Sequence, residues 1–290
     1  MANVVVEDHE YTSLVNINHN NGNTYIYRRC SFQDIAIDSA IKISGTSKVI
    51  IEKCNFNNIG ANGIWVAPSN TSRKIIITGN TFRNIGGNGI NTNTKSKDME
   101  ILDNDMDTIG TFILHPEALH GLYIQAPGSL IRGNTIRNII RRDGNGISIR
   151  ASGIIENNTV YNCTKNGITY YSDHDNVGDD LDIRDNYCYD IEDSAVGIIS
   201  NGERSNLIKS VSISNNTLCT RNTSVISIAG ESNINQVSFL ITNNTLYRED
   251  RWDVLYNPYH APVVFESNTY TRPPTLLKVR NSNLKEYGVK

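Results

Sequence analysis

Six residues have the types and spacing for proton-transfer chemistry: His120, Tyr123, Asp143, Arg150, Asp173 and Asp175. An imidazole and a phenol can exchange a proton as base or acid, and a guanidinium beside them can neutralise an acidic substrate, easing removal of the neighbouring proton. The carboxylates offer a second chemistry. Asp143 with Asp173 or Asp175 could serve as the paired groups that split a glycosidic bond, their separation deciding inversion or retention. Around these six stand side chains suited to a hydrated, hydroxyl-rich ligand: Trp65, Asn91, Asn93, Gln125, Ser148 and Tyr171, with Arg141 and His174. Plainer readings stand beside the functional ones. His120 precedes Gly121 where other segments have Asn62, Asn88, Asn145 and Asn166, so it could simply replace Asn in a turn and bond the backbone. Glu117 and the run from Asp173 to Asp182 could be solvated loop. That run could also hold calcium around His174, but it lacks the tight ligand spacing and fixed glycine of a calcium loop, so no metal or cofactor is expected.

What must position these residues is a repeat. A short apolar run, a small polar marker, an apolar plug and a Gly-Ile pair recur along the chain. The markers are Cys30, Cys54, Asn80, Asn104, Asn134, Asn158, Asn186, Asn216, Asn244 and Asn268, at intervals of 24 to 30 residues. Such self-similarity belongs to stacked coils. The β-branched runs with period-two alternation, such as Ile75-Ile76-Ile77, predict short strands, and a second set follows glycine, as in Gly121-Leu122-Tyr123-Ile124. Stacked about 4.8 Å apart, ten coils make a rod roughly 45–50 Å long. An Asn in each bend can take left-handed backbone angles and bond the Asn of the next coil. Four of the five cysteines, Cys30, Cys54, Cys163 and Cys188, fall on repeat positions filled elsewhere by Asn or apolar residues, which predicts packed thiols and no disulfide framework.

The strings Ile77-Thr78-Gly79-Asn80-Thr81-Phe82-Arg83-Asn84-Ile85 and Asn88-Gly89-Ile90 resemble the right-handed parallel β-helix superfamily, which includes pectate-lyase-like enzymes, epimerases, glycoside hydrolases and phage tailspikes. The resemblance implies an all-β fold, a single-stranded right-handed parallel β-helix (solenoid) of about ten coils. The expected domain is single, with residues 1–23 as an N-terminal cap, 24–270 as coils and 271–290 as a C-terminal cap. It also implies a polysaccharide or oligosaccharide partner. Either an enzyme cleaves or epimerises that glycan in a groove on the β-helix face, or a non-catalytic tailspike-like adhesin binds it.

Loop lengths point to one face. The marker-to-glycine distance is nine residues in regular coils but seventeen from Asn104 to Gly121 and twelve from Asn134 to Gly146. Extra chain also follows Gly167 and Gly197, flanking the same strand column, and solenoid insertions tend to mark the binding face. That column is expected to present Trp65, Asn91, Tyr123, Ser148, Thr169 and Ile199 in one outward row, and Ala67, Asn93, Gln125, Arg150 and Tyr171 in the next.

Composition narrows the partners. With 27 basic and 30 acidic residues, well mixed, a net charge of -3 gives no electrostatic case for nucleic acid or an anionic membrane. No run is long and apolar enough to span a bilayer, and Met1 to Glu10 lacks the pattern of a secretory signal. The expected setting is secreted, cell-surface or virion-associated, as monomer or homotrimer.

Overall fold

The computed structural model describes residues 2–71, 74–112, 118–172, 178–200, 208–248, 254–270 and 285–287. They form three parallel sheets of twelve, eleven and ten strands that run the length of a solenoid. Each coil lends one strand to each sheet. Ile75–Thr78, Thr81–Ile85 and Ile90–Asn91 make one coil, and Glu100–Leu102, Asp105–Ile109 and Leu122–Ile124 lie in register on the next. The ten strands of the shortest sheet set the number of complete three-stranded coils, in agreement with the solenoid read from the repeat. Among the described residues the one helical element is the 3-10 turn Ser232–Gln236.

The coil works because each inward side chain lands on its counterpart. Phe32, Phe56 and Phe82 stack with ring centroids 4.8 and 4.6 Å apart. Met106, Ile136, Val160, Cys188, Leu218 and Leu246 continue the column in register. Each such burial contributes about 1.5–3 kcal/mol, and no coil could bury these faces alone. Cys30, Cys54, Cys163 and Cys188 are buried in this packing, while Cys219 is half-buried, and burial pushes Cys188 up to about 12.

The ends and bends of the coil show how the chain closes its edges and turns its corners. Residues 3–19, expected as a cap, form a first coil whose strands Asn3–Glu7, Glu10–Tyr11 and Val15–His19 pair with the coil above. Of the expected C-terminal cap, only Lys285–Tyr287 lies within the described residues, and it pairs with the last long strand, Val263–Glu266. The left-handed residue of each bend is not the marker but its predecessor: Lys53, Gly79, Asp103, Gly133, Asn157, Asp185 and Asn215 all have φ between 53° and 68°. The marker keeps ordinary angles, which frees its side chain to turn inward.

Inside, the marker amides form a ladder. Asn104 Nδ2 donates to Asn134 Oδ1 at 2.9 Å, Asn134 Nδ2 to Asn158 Oδ1 at 2.9 Å, and the pattern runs from Asn80 to Asn268. The backbone N–H of each marker bonds the same oxygen, as Asn104 N does to Asn134 Oδ1 at 3.0 Å. The second Nδ2 hydrogen reaches a carbonyl of the coil below, as from Asn134 to Ile101 at 2.9 Å. A second ladder lines the corner before the third sheet and runs with the opposite polarity. Asn88 Nδ2 donates back to Asn62 Oδ1 at 3.1 Å, and Asn166 Nδ2 to Asn145 Oδ1 at 3.1 Å.

His120 occupies one rung of that second ladder. Its N–H donates to Asn88 Oδ1 at 2.7 Å, and its ring Nδ1 accepts the N–H of Asn145 at 3.0 Å, as an Asn oxygen would. The ring is 3% exposed, and burial, helped by the nearby Arg150 guanidinium, lowers its pKa to about 3.

Asn134→Ala should therefore destabilise the rod by about 3 kcal/mol or more, because it strips the acceptor from two donors of Asn104 and leaves them buried. Denaturant unfolding measures this. His120→Asn should flatten the acid limb of the stability profile. With a folded pKa below the unfolded value, the wild-type imidazole contributes its full stability above about pH 6.5 and loses it as pH falls towards 3. Wild type should thus lose about 2 kcal/mol more than the variant between pH 7.5 and pH 5. Equal losses in paired unfolding curves would show that His120 is not held neutral.

Candidate functional site

The outward face of the third sheet carries Tyr123 and Arg150 of the residues singled out for chemistry. Strand alternation turns Ile90, Leu122, Ile147 and Ile168 into the core and their neighbours out. The resulting column is Asn16, Lys42, Trp65, Asn91, Tyr123, Ser148, Thr169, Gly197, Ser227 and Tyr256, each in register with the next. Thr169 is followed by Gly197, and Ile199 pairs with Tyr171, so the expected row was shifted by two residues at that point. The cause is that Ala195-Val196 fills the place of the Gly-Ile pair. The Ile168 N–H bonds Ala195 O at 3.0 Å, just as Ile147 N–H bonds Gly167 O at 2.8 Å.

At the centre of the face, Arg150 lies between two tyrosines. Its guanidinium carbon is 5.0 Å from the Tyr123 ring centroid and 4.7 Å from that of Tyr171, distances at which a cation is drawn to each ring. The Arg150 N–H bonds Ile124 O at 2.7 Å, which fixes the backbone at the end of its strand. His120 packs beneath, its ring 5.4 Å from Tyr123. The structure thus brings together His120, Tyr123, Arg150 and Tyr171, with Ser148 and Thr169 in the column beside them. Gln125 is half-buried two residues beyond Tyr123.

A second cluster lies three and four coils below Arg150. Lys42 Nζ sits 4.7 Å from the Trp65 ring centroid, beside a cavity of about 390 Å³ lined by Asp38, Ser39, Lys42, Asn62, Trp65 and Asn91. Lys42 was missed in the sequence because Ala40-Ile41 replaces the Gly-Ile pair that marks the other strands of this sheet. The strand is still recognisable by its period-two alternation.

Other expected site residues fall elsewhere. Asn93 is buried: its amide donates to Ala67 O at 2.6 Å, and its Oδ1 accepts the N–H of Lys95 at 2.7 Å and of Ser96 at 3.1 Å. It closes a turn and does not line the groove. His120 is likewise a buried rung of the ladder, unable to meet a substrate while its Nδ1 holds Asn145. Asp143 is exposed at the corner between the second and third sheets, with Arg141 half-buried beside it. Asp173, His174 and Asp175 lie outside the described residues, as do His115 and Glu117. The remaining acids of that run are engaged: Asp179 with Lys209 at 2.9 Å, Asp182 with Arg184, and Asp180 with the Ser210 hydroxyl at 2.6 Å. Among the described residues, no three His, Cys, Asp or Glu side chains are grouped to hold a metal ion.

Charge separates this face from the other two. On the second sheet Asp105 is bonded by Arg83 and Arg137; burial raises its pKa, but the two guanidinium bonds outweigh that and leave it below the usual carboxylate range. On the first sheet Glu7, Arg28 and Glu52 interlock, as do Glu156 and Arg184. Within its described strands the third sheet carries no carboxylate; Lys42 lies on one of them and Arg150 one residue past Ile147–Ile149, while Asp38 and Asp143 stand at the corners of the face.

No curated protein matches the sequence. Among solved structures, the chain is similar to a mutant of the PL6 family alginate lyase AlyGC, at 9% identity and a TM-score of 0.39. That alignment covers 99% of this chain and 51% of the other, so the chain spans about half the length of that structure. The family described as "Right handed beta helix region" matches residues 13–178, more than half of the 290 residues. Three parallel sheets wound coil on coil are what that description requires, and the chain belongs to the right handed beta helix region family.

Proposed function

We propose that the third-sheet face binds a polysaccharide strand bearing acidic sugars, and that the protein acts on the glycan there. The observation that carries this reading is the make-up of the face: Arg150 between Tyr123 and Tyr171, Lys42 against Trp65, and, among the described residues, no carboxylate in the strands of this sheet. Acids in these strands would repel an acidic polymer, whereas Asp105, Glu52 and Glu156 on the other two sheets are each paired with arginine. Trp65, Tyr123, Tyr171 and Tyr256 offer rings for the C–H faces of sugars, while Asn91 and Gln125 offer amides for their hydroxyls. From Lys42 to Thr169 the column rises five coils, about 24 Å, long enough to engage several sugar units at once.

Arg150 is the group to set against a sugar carboxylate. Neutralising that carboxylate makes the proton on the adjacent carbon easier to remove, the step shared by β-elimination and epimerisation. Tyr123 stands beside Arg150 as a phenol able to give or receive that proton. On a neutral glycan the chemistry would pass to Asp143 with Asp173 or Asp175 as a hydrolytic pair.

One observation favours a second reading, non-catalytic binding. His120, whose pKa near 3 keeps it neutral, is committed to the ladder and supplies no imidazole to the groove.

Purified protein offered acidic and neutral glycans should prefer the acidic ones, with affinity falling as salt rises. Ultraviolet absorbance of unsaturated chain ends reports elimination, and a reducing-sugar assay reports hydrolysis. Arg150→Ala should weaken acidic-glycan binding at least tenfold and abolish any unsaturated product. Preference for neutral glycans, or an Arg150→Ala variant that binds as wild type, would remove the acidic-glycan reading. Binding without turnover would select the adhesin.

A further inference from the structure

Ser148 and Thr169 stand out within the groove. Both side chains are turned outward, because their strand neighbours Ile147, Ile149, Ile168 and Tyr170 fill the core. Yet Ser148 is 0% and Thr169 2% exposed, and neither hydroxyl oxygen has a hydrogen-bond partner. By contrast, the buried amides of the two ladders are hydrogen-bonded to one another. A buried hydroxyl left unmade costs about 1–3 kcal/mol, whereas alanine and valine would fill the same volumes without that cost.

The two hydroxyls are vertical neighbours, paired in register and about 4.8 Å apart by strand spacing. Two residues along each strand, on the same face, stand Arg150 and Tyr171. A two-by-two grid results: Ser148 and Arg150 on one coil, Thr169 and Tyr171 on the next, with Tyr123 directly below Ser148. Each hydroxyl can donate one hydrogen bond and accept others, so the pair suits two adjacent oxygens of a single ring.

We propose that Ser148 and Thr169 form the specificity subsite of the groove, receiving neighbouring oxygens of one sugar unit whose acidic group is set against Arg150. This subsite rests on the glycan reading of the third-sheet face. It deepens that reading by naming the groups that select the sugar. Both hydroxyls are covered in the free protein, so binding has to displace the side chains above them, and it then completes the hydrogen bonds left unmade. A sugar lacking either oxygen is rejected, because the orphaned hydroxyl then remains buried without compensation.

Ser148→Ala, Thr169→Val and the double variant test this by two readouts, thermal unfolding without ligand and affinity for a panel of galacturonate, alginate and neutral cellulose oligomers. We expect each single variant to unfold at the wild-type temperature or above it, and to bind the preferred oligomer about tenfold more weakly. Variants that unfold at clearly lower temperature would show that the hydroxyls serve the fold, and would overturn the proposal even with no ligand in hand. Stable variants with unchanged affinity would overturn the subsite alone. If wild-type protein bound no member of the panel, the groove reading would fail first and the subsite with it.

Discussion

The structure depends on one constraint: every backbone and side-chain group that points into the rod must be matched by its equivalent one coil away. Parallel strands enforce a spacing of about 4.8 Å, and the Asn80–Asn268 ladder converts that spacing into hydrogen bonds. An amide has two donors and an acceptor. It can meet the marker N–H, the next amide and a carbonyl below in one position, which a serine or an aspartate could not do. Leaving such groups unmade inside the rod would cost more than most single apolar contacts contribute.

Strict stacking gives an outward face its meaning. Side chains far apart in sequence become neighbours in a column, so Lys42, Trp65, Asn91 and Tyr123 form a continuous surface although 81 residues separate the first from the last. The Arg150 sandwich between Tyr123 and Tyr171 is built the same way, from three successive coils of one sheet. The ladder also explains why His120 is buried. A histidine can replace one amide rung through its Nδ1 only while neutral, and a ring used in this way is not a base for substrate.

The sequence made the fold legible because the markers recur at the coil period and the apolar plugs align with them. It also grouped Tyr123, Arg150 and Tyr171 on one face, and the structure places them on three successive coils of the third sheet. What it obscured has physical causes. Ala40 and Ala195 fill the site of the repeating glycine, which hid Lys42 and shifted Ile199 by two positions. Asn93 shares the alternation of an outward residue, but the strand ends at Asn91 and the chain folds its amide into a turn. Left-handed angles were expected at the marker, where the ladder needs an ordinary backbone, and belong to the residue before it. Whether a polar side chain in an outward column is open or covered leaves no mark in the repeat: Asn91 and Ser148 share a column, and the first is half-buried while the second is fully buried.

The most direct measurement is a crystal structure of the protein with an acidic oligosaccharide. The account predicts a sugar strand lying along the third sheet between Lys42 and Tyr171, with a carboxylate of the sugar against the Arg150 guanidinium. A sugar lodged on the first or second sheet, or a strand crossing the third sheet with its acidic groups turned away from Arg150, would contradict it.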